Sequence, residues 1–168
     1  MASVVDKGDF SKPVIRRKAL SASSDGTLAT IVRFEGSGEF TLDEPAAHGG
    51  SGKGPAPLTG VLASLCGREA VTLGRTAREM GLEHEGVELD SAFTIDIRRR
   101  SGMRGVVPHF QTAMVEASVR TREGGARLKD AVEETEARCP VFNLIKDAGV
   151  RIETVWIRNA GNADVMVA

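Results

Sequence analysis

Two thiols are the side chains of this sequence best suited to covalent chemistry, Cys66 and Cys139, 73 positions apart in a chain of 168 residues. A cysteine works as nucleophile or metal ligand through its thiolate, so its surroundings decide what it does. Two cysteines without a CxxC spacing and without an adjoining histidine make neither a disulfide framework nor a zinc site. Cys66 reads as a small buried hydrophobe, the commonest state of a free cysteine. Cys139, followed by Pro140, reads either as a helix-junction residue kept for packing or as a single reactive thiol. His48, His84 and His109 are scattered singly, with no helical or short-loop spacing that would focus a metal. No GxSxG elbow offers a serine nucleophile.

Two further patterns fail on their spacing. A phosphate-binding loop needs a glycine five residues before its lysine and Ser or Thr directly after it; around Lys53 the sequence has His48 and Gly54. A flexible loop is the better reading of Gly49 to Gly54. Arg98, Arg99, Arg100 and Arg104 lack the aromatic residues that accompany nucleic-acid recognition and fit a solvated strand end.

The elements that must position the thiols follow from periodicity. Val14 to Ala22 and Thr27 to Phe34 are strand-like runs joined through Asp25-Gly26, a hairpin signal, and Glu39 to Leu42 is a third short strand. The Gly/Pro-rich stretch from Asp43 to Pro57 is a shaped surface loop. Leu58, Val61, Leu62, Leu65, Leu73 and Met80 recur at helical spacing, with proline allowed in the first turn and Gly81 at the stop position, which predicts a helix over 57–80. Val87, Leu89, Phe93, Ile95 and Ile97 alternate as one face of a strand, interrupted by Ser91, and Phe110 to Thr121 is its antiparallel neighbour. A helix from about Ala126 to Arg138, a break at Cys139-Pro140, a short helix through Ala148 and a last strand from Val150 to Ile157 complete the order βββ-α-ββ-α-α-β. The fold class is α+β, with a mainly antiparallel sheet and one long central helix. Residues 1–12 are expected to be a loose N-terminus and 13–168 a single domain.

Composition bounds the partners. The 22 basic and 23 acidic side chains are spread along the chain and leave a net charge of −1. That excludes the electrostatic footprint of a nucleic-acid or anionic-membrane binder and suits a small neutral partner. No apolar run approaches the ~20 residues of a membrane span, and Asp6 and Asp9 interrupt any signal-peptide core. The expected location is the cytoplasm, and no cofactor is called for.

Two blocks remain, GPAPLTGVLASLCGREAVTLGRTAREMGLEHEGVELD from Gly54 to Asp90 and EARCPVFNLIKDAGVRIE from Glu136 to Glu153. Together they resemble the OsmC/Ohr family (osmotically inducible protein C and organic hydroperoxide resistance proteins). That family has a Gly-rich loop, a Gly-Pro-x-Pro-Leu start to a long cysteine-bearing helix, a Gly-Val-x-Val strand and a late Cys-Pro-Val; the Asp43-Glu44-Pro45 run also fits. The resemblance covers about Val14 to Ile157. It implies intertwined homodimers with the long helices central and each site at the subunit interface. It also implies two-electron reduction of a small organic hydroperoxide. A thiolate attacks the distal peroxide oxygen, and the resulting sulfenic acid condenses with a second cysteine to a disulfide that a dithiol reductant opens.

Laid on that pattern, the family's first cysteine falls on Arg68 and its helix-start glutamate on Thr59, whereas Cys139 matches the second cysteine. Cys66 cannot simply stand in for the first. Two positions along a helix swing a side chain roughly 200°, so a Cys66–Cys139 disulfide needs a different alignment or a helix irregularity, for which Gly67 is the available place. The catalytic candidates are therefore Cys139 and Cys66, and the binding candidates Arg68, Glu69 and Glu44. Arg68 needs a partner: Glu69, Glu44, an acidic group of the second subunit, or an anionic ligand; near Cys139 it would favour the thiolate. Three functions stay open, namely a thiol peroxidase, a non-catalytic protein binding a small molecule in the dimer-interface pocket, and a structural or regulatory partner.

Overall fold

In the computed structural model, residues 11–160 and 164–167 are described, so most of the expected loose N-terminus lies outside the described residues. The chain divides into two compact units, Met1–Pro57 and Leu58–Ala168.

The first unit is an antiparallel meander of β1 (Leu20–Ser23), β2 (Thr30–Phe34) and β3 (Gly38–Leu42), in that order. The first strand is shorter than its apolar run. Leu20 pairs with Phe34, the last residue of β2, so anything before Leu20 has no partner strand, and Val14 and Ile15 are exposed. Asp25-Gly26 makes the turn as expected: Asp25 Oδ1 accepts from Thr27 N at 3.1 Å and from Thr27 Oγ1 at 2.6 Å. Phe34 and Phe40 stack across β2 and β3 with centroids 5.6 Å apart.

The loop after β3 has a fixed centre, so the expectation that Gly49 to Gly54 is merely flexible is corrected. Asp43 is fully buried and its carboxylate accepts from Glu44 N at 2.8 Å, Ser51 N at 3.0 Å, Ser51 Oγ at 2.7 Å and Lys53 N at 3.0 Å. The Ser51 hydroxyl first, then these backbone donors, lower its pKa to about 2. Two glycines allow the loop to close. A Cβ on Gly50 would lie 1.8 Å from the Glu44 carbonyl oxygen, and one on Gly54 2.0 Å from that of Thr41.

The second unit holds the long helix α1 (Pro57–Met80), then β4 (Gly86–Ile95), β5 (Phe110–Arg120), α2 (Gly125–Arg138), α3 (Pro140–Asp147), β6 (Arg151–Asn159) and β7 (Asp164–Val167). Its sheet runs β4-β5-β6-β7. All pairs are antiparallel except β5 with β6, which are parallel. A parallel pair needs a crossover, and α2 and α3 supply it. The α+β reading and its mainly antiparallel sheet hold; β7 was not foreseen.

Helix α1 begins on Pro57 and stops at Gly81, whose φ of +65° suits only glycine comfortably. Leu82 N reaches back to Ala77 O at 2.8 Å, the closing bond of that stop. Its buried stripe is Leu62, Leu65, Glu69, Thr72, Leu73, Thr76 and Ala77. Leu58, Val61 and Met80, expected in the stripe, are exposed; the apolar pattern missed that the inward face carries a glutamate and two threonines. Strand β4 ends at Ile95 rather than Ile97, because Asp96 Oδ1 accepts from Arg98 N at 3.0 Å and turns the chain into a 3-10 turn, Ile97–Arg99. A bulge opposite Thr94 and Ile95 switches the facing of β5, so Phe110 points inward with Ala113, Val115, Ala117 and Val119. Phe110 stacks on Phe93 at 4.3 Å.

Candidate functional site

Cys139 stands at the junction of α2 and α3, where Pro140 forces the first helix to end and starts the second. Its backbone N–H closes α2 on Thr135 O at 2.9 Å. Its sulfur caps α3 by accepting from Phe142 N at 3.4 Å. Asn143 Nδ2 staples the corner, donating to Glu136 O at 2.9 Å and Cys139 O at 2.8 Å. The thiol is fully buried, packed among Leu62, Leu65, Phe110, Ala113, Val115 and Phe142.

One turn past Leu65 on α1, Glu69 enters the same interior. It is fully buried, and neither carboxyl oxygen has a hydrogen-bond partner of ordinary geometry. Its carboxyl and the Cys139 thiol bear on each other's ionisation. Burial pushes the Glu69 carboxyl above its ordinary range; the thiol works against that rise and the negative charge of Glu136 adds to it. Burial likewise raises the Cys139 thiol; the Phe142 amide opposes this and Glu69 adds to it. Glu136, at the end of α2, is anchored: its Oε1 accepts from Thr154 Oγ1 at 2.6 Å and from Trp156 Nε1 at 3.0 Å, both on β6.

Cys66 is engaged elsewhere. It is half-buried and free, and its thiol donates to Ser91 Oγ on β4 at 3.2 Å. Ser91 is the residue that interrupts the apolar alternation of that strand, so the interruption did carry information. No disulfide joins Cys66 to Cys139. Cys66 nonetheless lies three residues before Glu69, on an adjoining part of the helix surface.

Arg68 is half-buried and its Nε is shielded from solvent without a hydrogen-bond partner. The Arg68–Glu69 pairing left open by the sequence is not formed, since both carboxyl oxygens of Glu69 are unpartnered. Adjacent helical positions diverge by about 100°, which turns the guanidinium away from the carboxyl. Glu44, in the first unit, sits 3.6 Å from His48 Nδ1.

The second unit therefore buries Cys139 and Glu69 in its interior, turns Arg68 to another part of the α1 surface, and leaves Cys66 on Ser91. Glu136, whose charge bears on Glu69, and its partners Thr154 and Trp156 were not singled out from the sequence. The Glu136 position in a polar α2 gives no sign that the carboxylate reaches β6. Among the described residues no group of three or more His, Cys, Asp or Glu is placed to hold a metal ion, and no helix is long and apolar enough to cross a membrane.

Solved structures share this fold. The chain is 14% identical to an OsmC-like protein from Mycoplasma pneumoniae, with a TM-score of 0.69 over 85% of this chain and 99% of that one. It is 16% identical to an organic hydroperoxide resistance protein OsmC from Legionella pneumophila, with a TM-score of 0.65 over 86% and 98%. A third likeness, 17% identical with a TM-score of 0.61 over 92% and 99%, is a putative organic hydroperoxide resistance protein from Vibrio cholerae with captopril in one of its active sites. No curated protein matches by sequence. The family model for OsmC-like proteins matches residues 50–155, a span that holds α1, the Cys-Pro junction and most of β6. The chain belongs to the OsmC-like protein family.

Proposed function

We propose that this chain is an OsmC-like protein that binds a small anionic organic molecule through Arg68 and has lost two-cysteine hydroperoxide reduction. The observation that carries this reading is the Arg68 Nε, shielded from water and without a partner. A guanidinium so placed is costly unless something completes its hydrogen bonds, and a carboxylate matches its fork. Thiol chemistry is disfavoured on the same ground: Cys139 is fully buried with its thiol raised, the reverse of a reactive cysteine's surroundings. Laid on the family's Gly-Pro-x-Pro-Leu pattern without gaps, the first cysteine position falls on Arg68. The homodimer that the family implies would set this face of α1 against a second copy.

Small molecules occupy two of the related structures, which supports a ligand-binding reading. Captopril is bound in the Vibrio cholerae protein, and thiocyanate in an organic hydroperoxide resistance protein from Elizabethkingia anophelis. The test is a thermal-shift screen of carboxylates, fatty acids, phosphates, thiocyanate and captopril on wild type and Arg68→Ala. A ligand that raises the melting temperature of wild type and not of the variant supports the reading; shifts that survive the substitution, or none at all, refute it.

A second reading, hydroperoxide reduction through Cys139 with an external thiol, is favoured by one observation, the retained Cys139-Pro140-Val141 run. Its measure is turnover of cumene hydroperoxide with a dithiol reductant. Turnover lost in Cys139→Ser would establish it over the binding reading, and turnover equal in the two proteins would remove it.

A further inference from the structure

The turn that joins β4 to β5 departs from the even spread of charge along the chain. Residues 97–115 contain Arg98, Arg99, Arg100, Arg104 and His109 and no Asp or Glu, although the whole chain has a net charge of −1. Net charge alone argues against an anionic membrane, but it averages over this concentration. Asp96, at the start of the turn, is occupied by Arg98, whose Nε donates to its two carboxylate oxygens at 2.9 and 3.0 Å. The next carboxylates of the hairpin, Asp90 and Glu116, face each other across β4 and β5. At ~3.4 Å per residue they lie roughly 17 Å back from Ile95, beyond the ~10 Å screening length of 0.1 M salt. Arg99, Arg100 and Arg104 are exposed. So are the apolar side chains interleaved with them, Ile97 at 66%, Met103 at 49% and Val107 at 46%.

This apolar exposure does not come from a loose backbone. Arg100 N donates to Ile97 O at 3.0 Å, Gly102 N to Arg99 O at 3.0 Å and Met103 N to Arg98 O at 3.1 Å. Arg99 Nη1 donates to Met103 O at 3.2 Å. Gly102 and Gly105, with φ of +88° and +79°, take the left-handed positions that the tight path requires. The turn is thus a closed knob in which these backbone groups bond one another, as a segment entering a medium poor in water needs.

We propose that the β4–β5 turn docks this protein on the surface of an anionic phospholipid bilayer. Ile97, Met103 and Val107 enter the interface, and Arg99, Arg100 and Arg104 meet the lipid phosphates. A bilayer interface accepts both kinds of side chain at once and demands no matching shape, so arginines interleaved with apolar residues suit it. An arginine lays its stem along the apolar region and keeps its guanidinium at the headgroups. A polynucleotide would use the cations alone, and residues 96–109 include no Phe, Tyr or Trp on which a base could stack. The docking is independent of what Arg68 binds.

The experiment is co-sedimentation of the full-length protein with vesicles of phosphatidylcholine and phosphatidylglycerol in equal parts, and of phosphatidylcholine alone, at about 0.1 M salt. Wild type is expected to sediment with the anionic vesicles and not with the neutral ones. Arg100→Ala with Arg104→Ala should weaken that partition about twenty-five-fold, about fivefold for each arginine. Ile97→Ser with Met103→Ser should weaken it about tenfold. Circular dichroism checks that the variants fold; if one does not, the lipid preference of wild type and its release at about 1 M salt decide. Wild type left in the supernatant, equal sedimentation with both lipids, or a loss confined to one of the two variants overturns the proposal. It is overturned as well if, without vesicles, Ile97→Ser with Met103→Ser lowers the mass seen by light scattering, which would assign the turn to contact between copies. Tighter binding to a single-stranded RNA than to the anionic vesicles has the same consequence.

Discussion

Glu69 is the residue whose chemistry departs furthest from what its type implies. Because its carboxyl is raised in the fold, the unfolded chain ionises first as pH climbs past the ordinary glutamate value of 4.5. The fold then loses stability until the buried carboxyl ionises as well, after which the loss is constant. Glu69→Met removes the orphaned group at similar size. By urea unfolding the variant is expected to exceed wild type by about 1–3 kcal/mol at about pH 4, where the orphaned group is neutral, and by more at about pH 8. A gain independent of pH would mean that packing, not charge, sets the effect. Cys139 supports a second expectation. Cys139→Ala removes the sulfur that caps α3 and should cost about 1 kcal/mol, whereas Cys139→Ser, a better cap, should recover part of that. Both residues could be picked out in the sequence as candidates, but their full burial could not, since 70 positions separate them and burial depends on what each element packs against. Arg68 was legible as a cation lacking an evident partner, and the structure leaves it so.

At the scale of elements, the loop closed on Asp43 is where local sequence said least. Asp, Ser, Gly and Pro mark a turn region, and nothing in the string DEPAAHGGSGKGPAP says that one carboxylate gathers four donors. Asp43→Ala should release the Ser51 and Lys53 amides, seen as faster hydrogen exchange and quicker protease cleavage between β3 and α1, with the two strand turns of the first unit unaffected. The sign with pH is the reverse of that for Glu69. A carboxyl lowered to about 2 stabilises the loop above the ordinary aspartate value of 3.8, and that stability disappears as pH falls through about 2. Exchange of the same amides in wild type should therefore accelerate across that acid window. Gly50→Ala, which would thrust a Cβ against the Glu44 carbonyl, should open the loop at any pH. Helix α1 was legible at both ends, because proline and glycine act locally, while its inward face was misjudged in part, because burial of Glu69, Thr72 and Thr76 depends on what α1 packs against.

For the whole molecule, the order of elements and the α+β class were readable because each transition carries a local punctuation: Asp25-Gly26, Pro57, Gly81, Gly124-Gly125, Cys139-Pro140. The strand β7 was not, since four residues after a Gly-containing stretch give little periodicity. The homodimer proposed above would use α1, which carries exposed Leu58, Val61 and Val71. Light scattering is expected to give twice the chain mass of 17.8 kDa, and Val61→Glu together with Val71→Glu to shift the protein toward the single-chain mass. An unchanged mass in the double variant would place the interface elsewhere.

Trp156 has one more consequence. It is the one tryptophan of the chain, and its indole N–H ends on Glu136, the carboxylate whose charge bears on Glu69. The protein thus carries its own optical reporter beside the carboxylate that bears on the buried Glu69. Intrinsic fluorescence should change as Glu69 gains or loses its proton and stay level over the same pH range in Glu69→Met, so the state of a carboxyl hidden from solvent can be watched in unlabelled protein.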